Sequence, residues 1–117
     1  MTTDPIVESL CEKIREKAHI DNNLYRVIDK LVERSLVGQR KYGTTLTRTD
    51  LSQQDWIRHA QEEAMDLANY LEVLIVNVSC SMKARHKGRT MRNPVPFFED
   101  AQEKAITIAS ELEAMLK

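Results

Sequence analysis

Glycine and proline are scarce in this chain, with three of each in 117 residues. Proteins built from many short strands need these residues at their turns, and proline-rich or collagen-like chains need far more of them. Alanine, leucine, glutamate, lysine and arginine are abundant instead, and these residues favour helix over strand. The composition therefore predicts an all-α fold.

Cysteine is also rare. The two cysteines, Cys11 and Cys80, lack the CxxC or CxH spacing that a zinc site uses. Each falls on the apolar side of a predicted helix, where a thiol behaves as a small apolar side chain. We expect two buried, reduced thiols and no disulfide.

Long apolar runs are absent. The longest mainly apolar stretch, 71–78, is interrupted by Glu72 and Asn77 and is far shorter than the roughly 20 residues that a membrane helix needs. The first residues do not combine a basic segment with an apolar one, as a secretory signal would. We expect a cytoplasmic protein without membrane contact.

The chain also has no large excess of positive or negative charge, since its formal net charge is −1. Near-neutrality argues against a protein that coats nucleic acid. Basic residues nevertheless cluster between 83 and 92. This basic segment is compatible with a local phosphate or nucleic-acid contact, although such a run is more often a solvated loop; it comprises Lys83, Arg85, His86, Lys87, Arg89 and Arg92.

Helix-start signals divide the chain into four helices. Asp4-Pro5 and Asp21 suit helix N-termini, and Ser52 with Asp55 forms a capping-box pattern. We predict a single domain, 1–117, folded as a four-helix bundle. Its helices are expected at 4–19, 23–42, 53–82 and 96–116, with a threonine-rich loop at 43–52 and a basic loop at 83–95.

The third helix is unusually long. A helix over 53–82 extends about 45 Å, more than the diameter of a domain of this size. A second subunit is the simplest cover for its apolar side, so we expect an oligomer. The residues expected to form its buried stripe are Ile57, Ala60, Ala64, Leu67, Leu71, Leu74, Ile75, Val78 and Met82.

Three carboxylates lie close together on this helix. Glu62, Glu63 and Asp66 are spaced so that they share one face, where like charges cost a few tenths of a kcal/mol per pair. A hard divalent cation such as Mg²⁺ would neutralise them, whereas a solvated face is the plainer interpretation. Because Ala60 and Ala64 bracket the cluster, we expect Glu63 and Asp66 to flank the buried stripe.

The second helix supplies another acidic pair, Asp29 and Glu33. If the second and third helices pack antiparallel, Glu33 would approach Glu63 and Asp66, as in bundle metal sites. Surface pairing is the alternative, with Arg26, Lys30 or Arg34 as partners.

Basic residues lie at the C-terminal end of the second predicted helix. Arg40 and Lys41 suit phosphate oxygens, and they equally suit a helix C-terminus closed by Gly43. Further along, Trp56, His59, Asn69 and Tyr70 offer groups that stack or form hydrogen bonds, although such residues are also common at the edge of a core.

Together these segments resemble the MazG-like all-α nucleotide pyrophosphohydrolases, in particular small phage-encoded relatives. The resemblance covers about residues 24–78. It rests on Arg40-Lys-Tyr-Gly43, the threonine-rich loop with Leu46 and Asp50-Leu51, Trp56-x-x-His59-Ala-x-Glu62-Glu63-x-x-Asp66, and Tyr70-Leu71.

The resemblance implies an oligomeric helical enzyme, a homodimer or homotetramer, in the cytoplasm of a host if it is phage-encoded. Such enzymes use Mg²⁺ held by an ExxE and an ExxD on successive helices to cleave a nucleoside triphosphate between its α and β phosphates. It implies metal ligands Glu33, Glu63 and Asp66, catalytic Glu62, Glu63 and Lys41, and substrate contacts from Arg40, Lys41, Trp56, His59, Asn69 and Tyr70.

One motif departs from the family pattern. The ExxE is not intact, because Lys30 precedes Glu33 by three residues and Leu36 follows it by three. That departure favours one alternative, a helical module of the same fold that binds a nucleotide or a protein without turnover. A small nucleic-acid-binding bundle that uses the basic segment is the other alternative.

Overall fold

The computed structural model describes residues 3–17, 21–84 and 93–117, with only the backbone of 81–84. It contains four α-helices: α1 (Pro5–Arg15), α2 (Asn22–Tyr42), α3 (Gln53–Ala84) and α4 (Val95–Met115). No strand occurs among the described residues. The predicted all-α class with four helices is confirmed.

Two helix ends differ from the expected bounds. α1 ends at Arg15 rather than near residue 19, because the Lys17 N–H turns back to the Ile14 carbonyl at 3.1 Å and tightens the chain there. α3 runs on to Ala84, into the expected basic loop. The rest of the basic segment, 85–92, lies outside the described residues.

The chain forms two compact units, Met1–Asp50 and Leu51–Lys117. The first contains α1 and α2, and the second contains α3 and α4. The assembly of all four helices into one bundle stays a prediction. Within the described residues, no helix combines the length and apolar character that crossing a membrane requires.

A buried carboxylate organises the first unit. Asp4 is 2% exposed, and its Oδ1 accepts a hydrogen bond from the Ile6 N–H at 3.0 Å, which caps α1. Its Oδ2 accepts one from the Leu46 N–H at 2.6 Å. One side chain therefore begins α1 and fixes the threonine-rich loop beside it. The small core of this unit comprises Val7, Cys11 and Ile28, with Ile14, Leu31 and Val32 packed against it.

The ends of α2 follow their sequence signals. Asp21 caps the N-terminus by accepting the Leu24 N–H at 2.8 Å. At the C-terminus, Gly43 has a φ of 70°, a left-handed conformation that glycine adopts without strain, and its N–H bonds to the Gln39 carbonyl.

In the second unit, α3 and α4 form an antiparallel hairpin closed by two glutamines. The Gln61 amide donates to the Ala109 carbonyl at 3.3 Å and to Glu113 Oε2 at 2.7 Å. The Gln102 amide donates to the Ala68 carbonyl at 3.1 Å and to Glu72 Oε2 at 2.9 Å. Each helix thus holds the other by the same pair of bonds.

The amino-acid sequence repeats in the same way. Residues 61–72 and 102–113 read QEEAMDLANYLE and QEKAITIASELE, with the same residue at six of twelve positions. We call each glutamine with its two acceptors a glutamine clamp. The shared residues include the glutamine, the alanine that accepts its bond and the glutamate that accepts its bond in both clamps. The two helices are therefore related by a local two-fold axis, which for antiparallel helices runs normal to the plane of the hairpin.

The clamps also set which side of α3 faces α4. Between residues 58 and 77, the half-buried and buried positions of α3 are Gln61, Ala64, Ala68, Leu71 and Ile75, with small alanines where the helices meet. Three residues of the expected stripe, Ala60, Leu67 and Leu74, are exposed instead. That part of the prediction was wrong, because the expected stripe is wide and the glutamine bonds turn only one edge of it, with Ala64, Leu71 and Ile75, towards α4.

The cysteines are both free, as expected, but they differ in burial. Cys11 is fully buried, whereas Cys80 is exposed. The expectation that both thiols are buried was therefore wrong for Cys80, since the face of α3 on which it lies is not the one turned towards α4.

Asp4→Ala should lower the free energy of unfolding by about 2 kcal/mol, because it removes a helix cap and leaves the Leu46 N–H without its acceptor. Asp29→Ala, at an exposed position of α2, should change it by less than about 0.5 kcal/mol. Urea unfolding followed by circular dichroism measures both. Equal effects of the two substitutions would contradict the role of Asp4.

Gln102→Ala should destabilise the hairpin by about 1 kcal/mol, since it removes the bonds to Glu72 and the Ala68 carbonyl. Glu103→Ala, one residue further along and exposed, is the matched control and should have little effect. Urea titrations of both variants test this. A Gln102→Ala variant as stable as the control would show that the clamp adds nothing.

Candidate functional site

The candidate site begins where α3 begins. The Asp55 N–H donates to Ser52 Oγ at 3.1 Å, and the Ser52 N–H donates to Asp55 Oδ2 at 3.0 Å. The predicted capping box is confirmed. Hydrogen bonding to the Asp55 carboxylate from the Ser52 N–H, and next from the Ser52 side chain, holds the pKa of Asp55 below its ordinary value, with a further contribution from Arg58 at 3.6 Å.

Two ring-bearing residues follow this cap. Trp56 is half-buried and His59 is exposed, and their rings meet edge to face with centroids 6.1 Å apart. The contact fixes the orientation of the two rings relative to each other. Their predicted contacts with a substrate stay predictions.

The three carboxylates of α3 are exposed. Since a helix turns about 100° per residue, Asp66 lies about 160° around the helix from Ala68, which faces α4. Glu62 lies on the same outward side, and Glu63 lies between that side and the hairpin seam. The expectation that Asp66 flanks the buried stripe was wrong, because the clamps turn the stripe towards Gln61 and Ala68.

These carboxylates have no protein partner in the parts of the chain that the structure describes: no hydrogen bond or ion pair involves the side chains of Glu62, Glu63 or Asp66. Other acids nearby are paired. Asp55 meets Arg58 at 3.6 Å, and Asp100 meets Lys104 at 2.9 Å. The outward side of α3 therefore carries concentrated negative charge that no described side chain neutralises.

The donor set suits Mg²⁺ chemically. Among the described residues, no group of three or more His, Cys, Asp or Glu side chains is gathered to hold a metal ion by itself. Mg²⁺ does not need such a cage, since it keeps several waters and is commonly bound by one or two carboxylates together with phosphate oxygens. Glu63 and Asp66, one helical turn apart and exposed, fit that mode of binding.

Asn69 and Tyr70 continue the exposed side of α3 one turn further. Tyr70 is 67% exposed, so its ring is free to contact a molecule lying along the helix. Together with His59, these residues place hydrogen-bonding and aromatic groups at both ends of the carboxylate row. Their assignment to a substrate stays a prediction.

The candidate residues of α2 belong to the first unit. Glu33, Arg40 and Lys41 are all exposed, and Lys41 Nζ lies 5.3 Å from the centroid of the Tyr42 ring. No ion pair joins Glu33 or Asp29 to a neighbouring cation among the described residues, so the expected surface pairing is not observed there. The predicted roles of Glu33, Arg40 and Lys41 stay predictions.

The threonine-rich loop contains an ion pair that sequence reasoning missed. Arg48 binds Asp50 through two bonds, one of them from Nε to Oδ1 at 2.6 Å. The bonds from Arg48 lower the pKa of Asp50, and those to Asp50 raise the pKa of Arg48. The signal was the alternation of opposite charges two residues apart, which orders the loop just before α3.

No family model, curated protein or solved structure matches this chain.

The lowered pKa of Asp55 makes the stability of the cap depend on pH. A carboxylate whose folded-state pKa is depressed stabilises the fold above its unfolded pKa of about 3.9, and this stabilisation is lost as the pH falls through the lower folded value. Asp55→Asn should therefore melt below the wild type at pH 6, and the gap should close towards pH 2. Thermal melts across this range test it; a gap independent of pH would contradict it.

Proposed function

We propose that this protein hydrolyses a nucleoside or deoxynucleoside triphosphate between the α and β phosphates in the presence of Mg²⁺, releasing the monophosphate and pyrophosphate. The observation that carries the proposal is the row of exposed carboxylates on α3 that no described cation neutralises. The reaction itself comes from the resemblance to MazG-like pyrophosphohydrolases, whose ExxD matches Glu63 and Asp66.

The metal has a defined task in this proposal. Glu63 and Asp66 would hold it, with Glu33 as the ligand that the resemblance assigns on α2. When bound, Mg²⁺ would neutralise negative charge on the phosphates and lower the pKa of the attacking water. A triphosphate offers the oxygen ligands that two carboxylates leave open.

The chain's own residues supply the remaining chemistry. Glu62 or Glu63 accepts a proton from the attacking water, which requires a carboxylate within hydrogen-bond reach of it. Trp56 and Tyr70 stack on the base, while His59 and Asn69 donate or accept hydrogen bonds. Arg40 and Lys41 stabilise the charge that develops on the leaving pyrophosphate.

A second function is favoured by the incomplete ExxE. Lys30 and Leu36 stand where the family pattern has a second glutamate on either side of Glu33. A site with fewer carboxylates holds a metal less firmly and suits a module that binds a nucleotide or a protein without turnover. Nucleic-acid binding through the basic segment is a further alternative, and a steep fall of affinity with salt would indicate it.

Asp66→Asn should reduce Mg²⁺-dependent pyrophosphate release at least tenfold, because it removes a charged ligand from the row. The assay uses a panel of ribo- and deoxyribonucleoside triphosphates, with Mg²⁺ or with EDTA. Asp100→Asn is the matched control, since Asp100 is an exposed acid on α4 that pairs with Lys104. It should keep the wild-type rate.

Full activity of Asp66→Asn, or activity in EDTA, would contradict the proposed mechanism. Absence of turnover across the panel would favour the binding module. Calorimetric titration of the same nucleotides would then distinguish nucleotide binding from binding of another partner.

A further inference from the structure

Asp4 uses its two carboxylate oxygens for two different tasks. Oδ1 accepts the Ile6 N–H at 3.0 Å and caps α1, whereas Oδ2 accepts the N–H of Leu46, 42 residues further along the chain, at 2.6 Å. A helix cap needs only one side-chain oxygen, and serine or asparagine supplies it about as well as aspartate does. Capping alone therefore does not explain the second bond.

The charge of Asp4 also exceeds what a cap requires. The side chain is 2% exposed, and no ion pair joins it to a cation among the described residues. A buried carboxylate is costly, so a neutral cap would be less costly at this position. A carboxylate, however, accepts on both oxygens, and its bonds from N–H groups are stronger than those to a neutral acceptor. The charge is therefore matched to the second bond, the one to Leu46.

The loop that Asp4 holds is bonded within itself. The Thr45 carbonyl accepts the Arg48 N–H at 3.3 Å, and Thr45 Oγ1 accepts the Thr47 N–H at 3.3 Å. Leu46 lies in the middle of these contacts. A bond to its N–H therefore fixes the first half of the threonine-rich loop rather than a single residue.

The same loop begins at the end of α2 that carries Arg40 and Lys41. Gly43 closes that end in a left-handed conformation, and its N–H bonds to the Gln39 carbonyl at 2.8 Å. Leu46 follows Gly43 by three residues. The last turn of a helix frays readily unless the chain beyond it is held. Holding Leu46 therefore helps to keep the last turn of α2 formed.

The two cations of this turn are available to an anion. Arg40 and Lys41 are exposed, and no ion pair involves either of them in the described part of the chain. Lys41 Nζ lies 5.3 Å from the centroid of the Tyr42 ring, a contact that depends on the backbone of both residues. The position of the cations therefore depends on whether the turn is formed.

We propose that Asp4 is a positioning residue for phosphate binding. Through the Leu46 N–H, it holds the last turn of α2 in the form in which Arg40 and Lys41 bind the oxygens of a pyrophosphate group together. Asp4 acts only through this turn, because its own side chain is buried. The inference rests on the phosphate contact that the proposed function gives to Arg40 and Lys41.

Asp4→Asn separates the two tasks of the carboxylate. Asparagine caps a helix about as well as aspartate, so α1 keeps its cap. Its amide nitrogen then faces the Leu46 N–H, and it cannot accept a hydrogen bond. Asp4→Ser is a second variant of this kind, since one hydroxyl group caps α1 and leaves Leu46 without its acceptor. Asp21→Asn is the matched control, because Asp21 caps α2 through the Leu24 N–H.

Pyrophosphate binding in EDTA measures the contact without turnover and without a metal ion on α3. An NMR titration of the full chain, followed at the amides of 40–46, gives the dissociation constant. Asp4→Asn and Asp4→Ser should raise this constant about fivefold and remove the protection of the Leu46 amide against hydrogen exchange. Asp21→Asn should change neither quantity.

A double-mutant cycle with Lys41→Ala shows whether Asp4 acts through the turn. If it does, Asp4→Asn and Lys41→Ala impair the same contact, and their combined effect on the dissociation constant should be smaller than the product of the separate effects. Asp4 acting elsewhere in the fold would give the full product, which would contradict the proposed role.

The outcomes separate this inference from the proposed reaction. Asp4 variants that bind pyrophosphate as the wild type does, or that keep the protection of Leu46, would overturn the inference. So would a wild type that does not bind pyrophosphate. Absence of hydrolysis together with the expected loss of pyrophosphate affinity would contradict the proposed reaction and support the role of Asp4.

Discussion

The two glutamine clamps between α3 and α4 determine what the second unit presents to its surroundings. Gln61 and Gln102 each bond a backbone carbonyl and a glutamate of the opposite helix, so a shift of one helix along the other breaks four bonds together. Polar residues in a helix seam are known to fix register at some expense of stability. Here they also fix the rotation of α3 about its own axis, which turns Glu62 and Asp66 away from α4.

The ends of the helices were largely predictable because they depend on local chemistry. Asp4, Asp21, Ser52 with Asp55, and Gly43 act where the sequence places them, since a cap needs only neighbouring backbone groups. The end of α1 was not predictable in this way, because the continuing apolar spacing beyond Arg15 competes with a local turn. The predicted buried stripe of α3 was wrong only at Ala60, Leu67 and Leu74. Apolar residues encircle much of this helix, and contacts distant in sequence decide which of them are covered.

The candidate site shows the same division. That Glu62, Glu63 and Asp66 form one row follows from helical spacing, and the structure shows this row exposed. Its orientation relative to the core could not be predicted, because it depends on the clamps. The repeat that contains the clamps, 61–72 and 102–113, is weak in the sequence, since half of its positions differ and the shared ones are common helix residues. No described cation neutralises the negative charge on this face. This charge favours ion binding for a chemical reason that does not depend on the resemblance to a family motif.

The claim that the outward side of α3 binds a divalent cation can be tested apart from turnover. Mn²⁺ binds the same oxygen ligands as Mg²⁺ and broadens the NMR signals of nearby amides. Titrated at substoichiometric concentration into the labelled protein, it should first broaden the amides of 59–70, and excess Mg²⁺ should reverse the effect. Broadening that begins elsewhere, or that persists unchanged in Asp66→Asn, would contradict the account.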